Sequence, residues 1–597
     1  MGSGINGRQK TRNILTAAIL ACQALSFSAV GNLHPHFTIK HILPAEMNNI
    51  AGIGGIDLLP NGDGAICTWG GSQKTVGEVW IVPGLASGTP GTPTRIATGL
   101  REPLGVKAVG ADFYVMEKPH ITKFSGSGTT WTKTKLWSLP TAWYTDSQWH
   151  HFSFNLVLRD NAFWFTTGTA YDYDPKDPIQ RGALIKVPLD GGSFTQLARG
   201  LRNTNGIGLG PDNEFFAPEN QGHWKPVNAL YHITTANVPA NGRFYGFRTE
   251  GNNSCGVTPP NVAGTSCPAD PEYPPAIWMP YGGFSTSPTR PILLKAGPYA
   301  GQMIGGDVNH GGTFRYFLEK VNGEYQGAAF GMMTAGSGGI NFGINQFLYT
   351  PGGSLLVAGI GGGVVCGTEG SGNWNWNSTC RGLDLLTPTD KAAFEPLAIR
   401  SVPGGFDVEF TQPANAAAGN KANWQVRTTV ITPAQVYGSD GNLTDNNISV
   451  GVTSATLSAD AKHVFLELAS LLPKRMYAIT MNNVTSATGE AAYTNVGYYT
   501  LNSVSTTTAL RPDGFPDSRP EVRLRATVQS GQVSLDIPYK AYRIGLFRVD
   551  GSRVAEAASG MRLEGPGRLV TGRLSPGVYL LTGTADDGLV RQRVRVE

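Results

Sequence analysis

The chain has 597 residues, with 47 basic and 43 acidic side chains and a formal net charge of +4. So even a balance gives no electrostatic footprint for nucleic acid or an anionic membrane surface. Charged residues make only 15% of the chain while Gly (78) and Pro (39) abound, a texture of short strands and turns, and the length calls for several domains.

At the N-terminus Arg8, Lys10 and Arg12 precede an apolar run over 14–25 and the small residues Ser26 and Ser28. This predicts a secretory leader over residues 1–28, too short to span a bilayer. No later stretch is long and apolar enough for a transmembrane segment, so none is expected in the mature form.

Residues 56–62, 106–115, 156–165 and 207–216 share one shape, an apolar strand running into a tight Gly/Pro/Asp/Asn turn and out into a second strand. Their turns recur about every 50 residues, the size of a four-stranded propeller blade. A fifth copy lies at 347–357, and Gly99-Leu100-Arg101-Glu102-Pro103-Leu104-Gly105 returns as Gly200-Leu201-Arg202-Asn203-Thr204-Asn205-Gly206. The expectation is a six-bladed β-propeller over 33–392, with a strand pair near 301–307, an inserted loop over 255–288 and the chemistry in the central channel.

Cys255 with Cys267, and Cys366 with Cys380, bracket loop-like sequence and read as two local disulfides of an oxidising compartment. Cys67, inside the apolar segment 65–69, reads as a buried free thiol. The Gly-rich stretch 359–363 opens no helical pattern, which argues against a phosphate loop.

After residue 392 the segments 405–410, 464–468 and 476–480 alternate apolar and polar residues, as strands with one solvated face do. They predict an immunoglobulin-like sandwich over 393–502, followed by a linker over 503–521 and a small β unit over 522–597. The fold class expected is therefore all-β: a six-bladed β-propeller, an immunoglobulin-like β-sandwich and a small C-terminal β-sandwich.

Two motif sets carry resemblances. Gly200-Leu201-Arg202-Asn203-Thr204-Asn205-Gly206-Ile207, then Pro211-Asp212, Glu219-Asn220-Gln221-Gly222 and Asn241-Gly242-Arg243-Phe244-Tyr245-Gly246-Phe247, resemble the soluble quinoprotein glucose/sorbosone dehydrogenases over roughly residues 33–392. The sandwich beginning at Phe394-Glu395 is similar to one often fused behind such propellers. The resemblance implies pyrroloquinoline quinone (PQQ) over the channel, calcium polarising its carbonyls, and a His that takes the sugar's hydroxyl proton while hydride goes to the quinone.

In that scheme Trp149-His150-His151-Phe152-Ser153-Phe154 occupies the place of the base. His151 keeps the family spacing to Leu156-Val157, whereas His150 fits the His-x-Phe-x-Phe form of uncharacterised relatives, and spacing does not choose between them. Arg202 and Asn203 match the pair that reaches the cofactor, His310 stands near the place of a cofactor-binding Lys, and the backbone at Gly222 and His223 matches the calcium loop. One departure stands out. Gly343, Ile344 and Asn345 precede the late turn where the family has two Arg residues, so a buried tricarboxylate would lean on Arg315, His310 and Arg243.

The activity expected is oxidation of an aldose or related sugar. One alternative is a non-catalytic carbohydrate-binding propeller that offers Trp69, Trp149, Trp164, Trp224, Trp374 and Trp376 to sugar rings. Another is a calcium-dependent lactonase or lyase using Glu219 and Asp307.

The second resemblance lies in residues 533–537, 544–554, 574–581 and 593–597: a strand with a central Asp-Gly turn, a Leu-x-x-Gly-x-Tyr strand and a basic closing strand. These look like the sorting domain of type IX secretion cargo. They imply export through the periplasm to the cell surface or beyond, with that secretion machinery as a partner.

Overall fold

The computed structural model describes residues 30–505 except 51, 71–75, 146–147, 149, 171–173, 175, 250–270, 282–283, 310, 361–380 and 432–447. Beyond residue 505 it describes Ser575 and seven strands within 525–596. The segment expected as a leader, the four cysteines expected to form two disulfides, His310, Trp149, Trp374, Trp376 and residues 361–363 lie outside the described residues. Two compact units divide the chain, Met1–Pro512 and Asp513–Glu597.

The first unit contains six antiparallel blades. The first four begin with Ile53–Leu58, Gly105–Val109, Ser153–Arg159 and Gly208–Leu209, and the last two with Ile292–Leu293 and Ile344–Tyr349. The sixth blade is completed by the N-terminal strand Phe37–His41, which pairs with Leu383–Pro388 and so closes the ring. The expected strand pair near 301–307 is Met303–Gly306 against Thr313–Val321 in blade five. The third blade gains a short parallel strand, Arg243–Phe244, on Thr195–Arg199.

The repeating turns follow from backbone sterics. Asp160 and Asn161 both sit at positive φ (53° and 54°), as do Asp212 and Asn213, and Gly62, Gly110 and Gly353 fill the same need elsewhere. Tight hairpins need left-handed residues, which Gly, Asn and Asp adopt at least cost.

At the centre the first strands are stitched together by hydrogen bonds. Asn155 N–H donates to Leu104 O, Arg290 N–H to Asn205 O, and Thr289 Oγ1 to Ile344 O. Asn345 Nδ2 reaches Gly54 O at 2.9 Å, and Asn205 Nδ2 donates to Asn345 Oδ1 at 3.1 Å, from blade four to blade six. Gly54 and Gly55 allow the first two blades to approach closely, since a Cβ on Gly54 would lie 2.1 Å from Pro103 O.

The sandwich joins the propeller through its sheet. Val496–Leu501 pairs with Glu324–Met333, the outer strand of blade five, giving one continuous eight-stranded sheet. Ala328 and Phe330 of the blade share a core with Phe406, Val408, Trp424, Tyr477 and Tyr499 of the sandwich. One expectation is corrected here. Asp407, on the face expected to be solvated, is buried because His463 and Arg400 cover it, with His463 Nδ1 at 3.1 Å.

The second unit has a three-stranded sheet and a four-stranded sheet. Its longest ladder pairs Gly577–Ala585 with Gly588–Val596, so the basic closing strand is nine residues long.

Candidate functional site

Around the channel axis Trp69, Leu104, Phe152, Phe154, Val308 and Ile360 form one apolar cluster drawn from five blades. The polar groups beside it are carried by the loops that enter the first strands and leave the second strands.

Three of these loops share a clamp. An acid at or just beyond the end of the second strand accepts backbone N–H groups from the loop entering the same blade. Glu117 accepts from Arg101 N–H at 2.8 Å, and Glu219 from Arg202 and Asn203 N–H at 2.6 and 2.8 Å. Asp307 accepts from Thr286 and Ser287 N–H at 2.7 and 2.8 Å. Buried backbone donors require such partners, so the two Gly-Leu-Arg segments and their distant acids form a structural repeat. Glu219 and Asp307 are thereby committed to holding loops.

His150 is buried, and its Nδ1 lies 3.0 Å from Thr169 O. A carbonyl only accepts, so Nδ1 carries the proton and Nε2 of the neutral ring carries the lone pair. Burial, and then the Arg202 charge, hold this imidazole well below its ordinary value, so it stays neutral.

His151 is placed differently. Its Nε2 pairs with Asp177 Oδ1 at 2.9 Å, and its Nδ1 accepts from Thr145 N–H at 3.2 Å. Both ring nitrogens are thus engaged inside the loop.

Arg202 is 2% exposed, and its Nη1 donates to Gln221 O at 2.9 Å. Its guanidinium packs against Gly222, where a Cβ would come within 2.1 Å of Nε. Its backbone carbonyl accepts from Thr169 N–H at 2.8 Å, tying it to the residue that fixes His150. Asn203 also comes to this spot: a Cβ on Gly168 would lie 2.5 Å from Asn203 Oδ1 and 2.9 Å from His150 O. Asn203 Oδ1 is buried and has no hydrogen-bond partner among the described residues.

The structure therefore brings His150, Arg202 and Asn203 together. Gly222 exchanges backbone hydrogen bonds with Lys225, its N–H to Lys225 O at 2.7 Å and its carbonyl from Lys225 N–H at 3.1 Å, while His223 is half-buried beside it. Among the described residues no three His, Cys, Asp or Glu side chains gather as a metal site. Trp69, Trp164 and Trp224 are buried.

Two cations expected as substitutes lie elsewhere. Arg315 is buried at the sandwich, donating to Gln302 Oε1, Leu397 O and Pro396 O. Arg243 lies on the added strand of blade three, over the Tyr273 ring at 4.9 Å. Sequence reasoning did not single out Thr169, Asp177, Arg181 or the fully buried pair of Lys118 and Glu102, 3.0 Å apart. The only available signal was an acid and a base, Asp177 and Arg181, bracketing a turn before a strand.

A tricarboxylate cofactor such as PQQ needs several cations. Among the described residues near His150, Arg181 donates to Gly168 O and Phe152 O, and Lys118 donates to Gln148 O and pairs with Glu102. That leaves Arg202, itself bonded to Gln221 O. The described residues do not fit the quinone.

No family model and no curated protein matches the chain. Among solved structures it is similar to the PQQ domain of a pyranose dehydrogenase from Coprinopsis cinerea, at 11% identity and TM-score 0.41, covering 60% of this chain and 96% of that one. A Trichoderma reesei carbohydrate-active enzyme of family AA12 matches at 13% identity and TM-score 0.43, covering 62% and 100%. The PQQ-bound aldose sugar dehydrogenase from Streptomyces coelicolor matches at 14% identity and TM-score 0.38, covering 59% and 100%.

Proposed function

We propose that the propeller channel binds a sugar and that His150 is its base, taking a proton from a sugar hydroxyl through Nε2. One observation carries this reading: His150 Nδ1 faces Thr169 O at 3.0 Å, which fixes the tautomer of the ring beside Arg202. A base needs the lone pair on a positioned nitrogen, and a nearby guanidinium favours the alkoxide that forms.

The buried oxygen of Asn203 suits a ligand with hydroxyl donors. The motif Gly200 to Ile207 supports oxidation of the sugar as the overall reaction. The hydride passes to an external two-electron acceptor, a quinone or a redox dye, because the described residues do not fit resident PQQ. The lactonase reading loses its carboxylates, since Glu219 and Asp307 serve the loop clamps.

The second unit supports a reading as an export address, its strands covering one of the four segments that resemble a sorting domain in full and parts of the other three. Together with the leader pattern, this supports a reading of the protein as one that acts outside the cell.

The test uses the full chain and a panel of sugars, with binding followed by calorimetry and oxidation by dye reduction, with and without PQQ and calcium. Turnover that falls about 100-fold in His150→Ala while sugar binding persists is the expected result. Binding without turnover in the wild type would make the propeller a carbohydrate-binding module. Turnover unchanged in His150→Ala would overturn the assignment of the base.

A further inference from the structure

The segment from Asp177 to Arg181 touches both stretches of chain that flank His150. Asp177 Oδ1 takes the ring of His151, and its Oδ2 accepts from Ala170 N–H at 2.7 Å. Gln180 O accepts from Thr167 Oγ1 at 2.5 Å. Arg181, with no exposed surface, donates from Nε to Gly168 O and from Nη2 to Phe152 O, both at 2.6 Å.

The two stretches are themselves paired, Gly168 N–H donating to Phe152 O at 3.0 Å. The guanidinium thus bridges the carbonyl two residues after His150 and the carbonyl just before Thr169, which fixes the His150 tautomer. Gly182, next in the chain, turns at φ +64° and lies close against Leu201, whose O a Cβ there would strike at 1.8 Å.

We propose that the segment from Asp177 to Arg181 is a positioning clip for His150, with Arg181 as its working residue. The inference rests on His150 being the base of the sugar site, but its structural content is separate from turnover. A planar fork satisfies two carbonyls at once in a fixed geometry, which a lysine ammonium on a flexible stem does not reproduce. Among the described residues, the charged or titratable groups acting on His150 are Arg202, His151 and Arg181 itself.

The test is long-range proton–nitrogen NMR of the full chain labelled with 15N-histidine, the His150 signals being identified by their loss in His150→Gln. In the wild type His150 is expected to show a protonated Nδ1 and a bare Nε2 through the neutral and mildly acid range. In Arg181→Met the two nitrogens should average toward a tautomer mixture, and the ring should titrate nearer the ordinary histidine value of about 6.5. Identical His150 signals in wild type and Arg181→Met would overturn the clip.

Should Arg181→Met fail to fold, Asp177→Asn and Arg181→Lys carry the test. An unchanged tautomer and pH profile in both would equally overturn it. In turnover assays the clip predicts a fall in kcat of about 10- to 100-fold with KM unchanged. Wild-type protein that oxidises no sugar would defeat the functional reading alone, because the NMR comparison stands without substrate.

Discussion

Arg315 of the fifth blade and Glu395 of the sandwich face each other at 3.5 Å, both buried. His34, just before the strand that closes the ring, points Nε2 at the same carboxylate oxygen from 3.4 Å. One buried acid therefore joins the closing segment, the fifth blade and the sandwich.

Removing that acid leaves a guanidinium buried without its partner. Glu395→Ala should cost about 3–5 kcal/mol, read as a shifted midpoint in urea unfolding of the full chain. Burial pushes the Glu395 carboxyl up, but Arg315 and His34 outweigh it and hold it below its ordinary value. A depressed carboxylate stabilises the fold above its unfolded value of about 4.3, and that contribution disappears as pH falls through the native one. An unchanged midpoint in Glu395→Ala would contradict the coupling.

Gly222→Ala should disturb ligand binding more than stability. Its methyl would meet Arg202 Nε at 2.1 Å and push the guanidinium away from Gln221 O. Sugar affinity should fall about tenfold or more, with the thermal midpoint nearly unmoved, as judged by calorimetry and differential scanning.

The acid limb of kcat/KM should lie below the ordinary histidine value of about 6.5. A base works when deprotonated, and burial followed by the Arg202 charge depresses the His150 value, so activity persists into mildly acid solution. Arg202→Gln should move that limb upward in a pH–rate profile.

Asp384, on the strand that receives the N-terminal one, behaves in the opposite sense. Burial pushes its carboxyl up to about 6 despite a contact with His41 at 2.8 Å. A raised native value means the fold binds the proton more tightly, so this group's stabilisation is full below about pH 3.9 and is lost as pH rises through 6. Asp384→Asn should therefore raise stability at neutral pH by about 1 kcal/mol, measured by urea unfolding at two pH values. Lower stability of the variant at pH 7 would refute this.

The blades were legible because their determinants are local. Apolar pairs around Asp160-Asn161 or Pro211-Asp212 specify a hairpin wherever they occur, and regular spacing turns hairpins into blades. The sandwich strands were legible through alternation, except at Asp407, whose burial depends on Arg400 and His463 arriving from neighbouring strands.

The site was legible only in part. The sequence marked His150, His151, Arg202 and Asn203 but left the two histidines equivalent. Thr169 and Asp177, 19 and 26 residues away, separate them by fixing one tautomer and engaging the other ring. Likewise Arg315 reads in sequence as a spare cation, and its attachment to Glu395 depends on how the blade meets the sandwich.

Local sequence set the strand–turn rhythm and the even charge balance that offers nucleic acid no electrostatic footprint, because these follow from backbone sterics and side-chain polarity within a few residues. Tertiary structure alone decided which imidazole has its tautomer fixed by a backbone carbonyl, which acids serve backbone donors, and which arginine lies beside His150. Those depend on partners distant in the chain, brought to hydrogen-bond distance only when the ring closes.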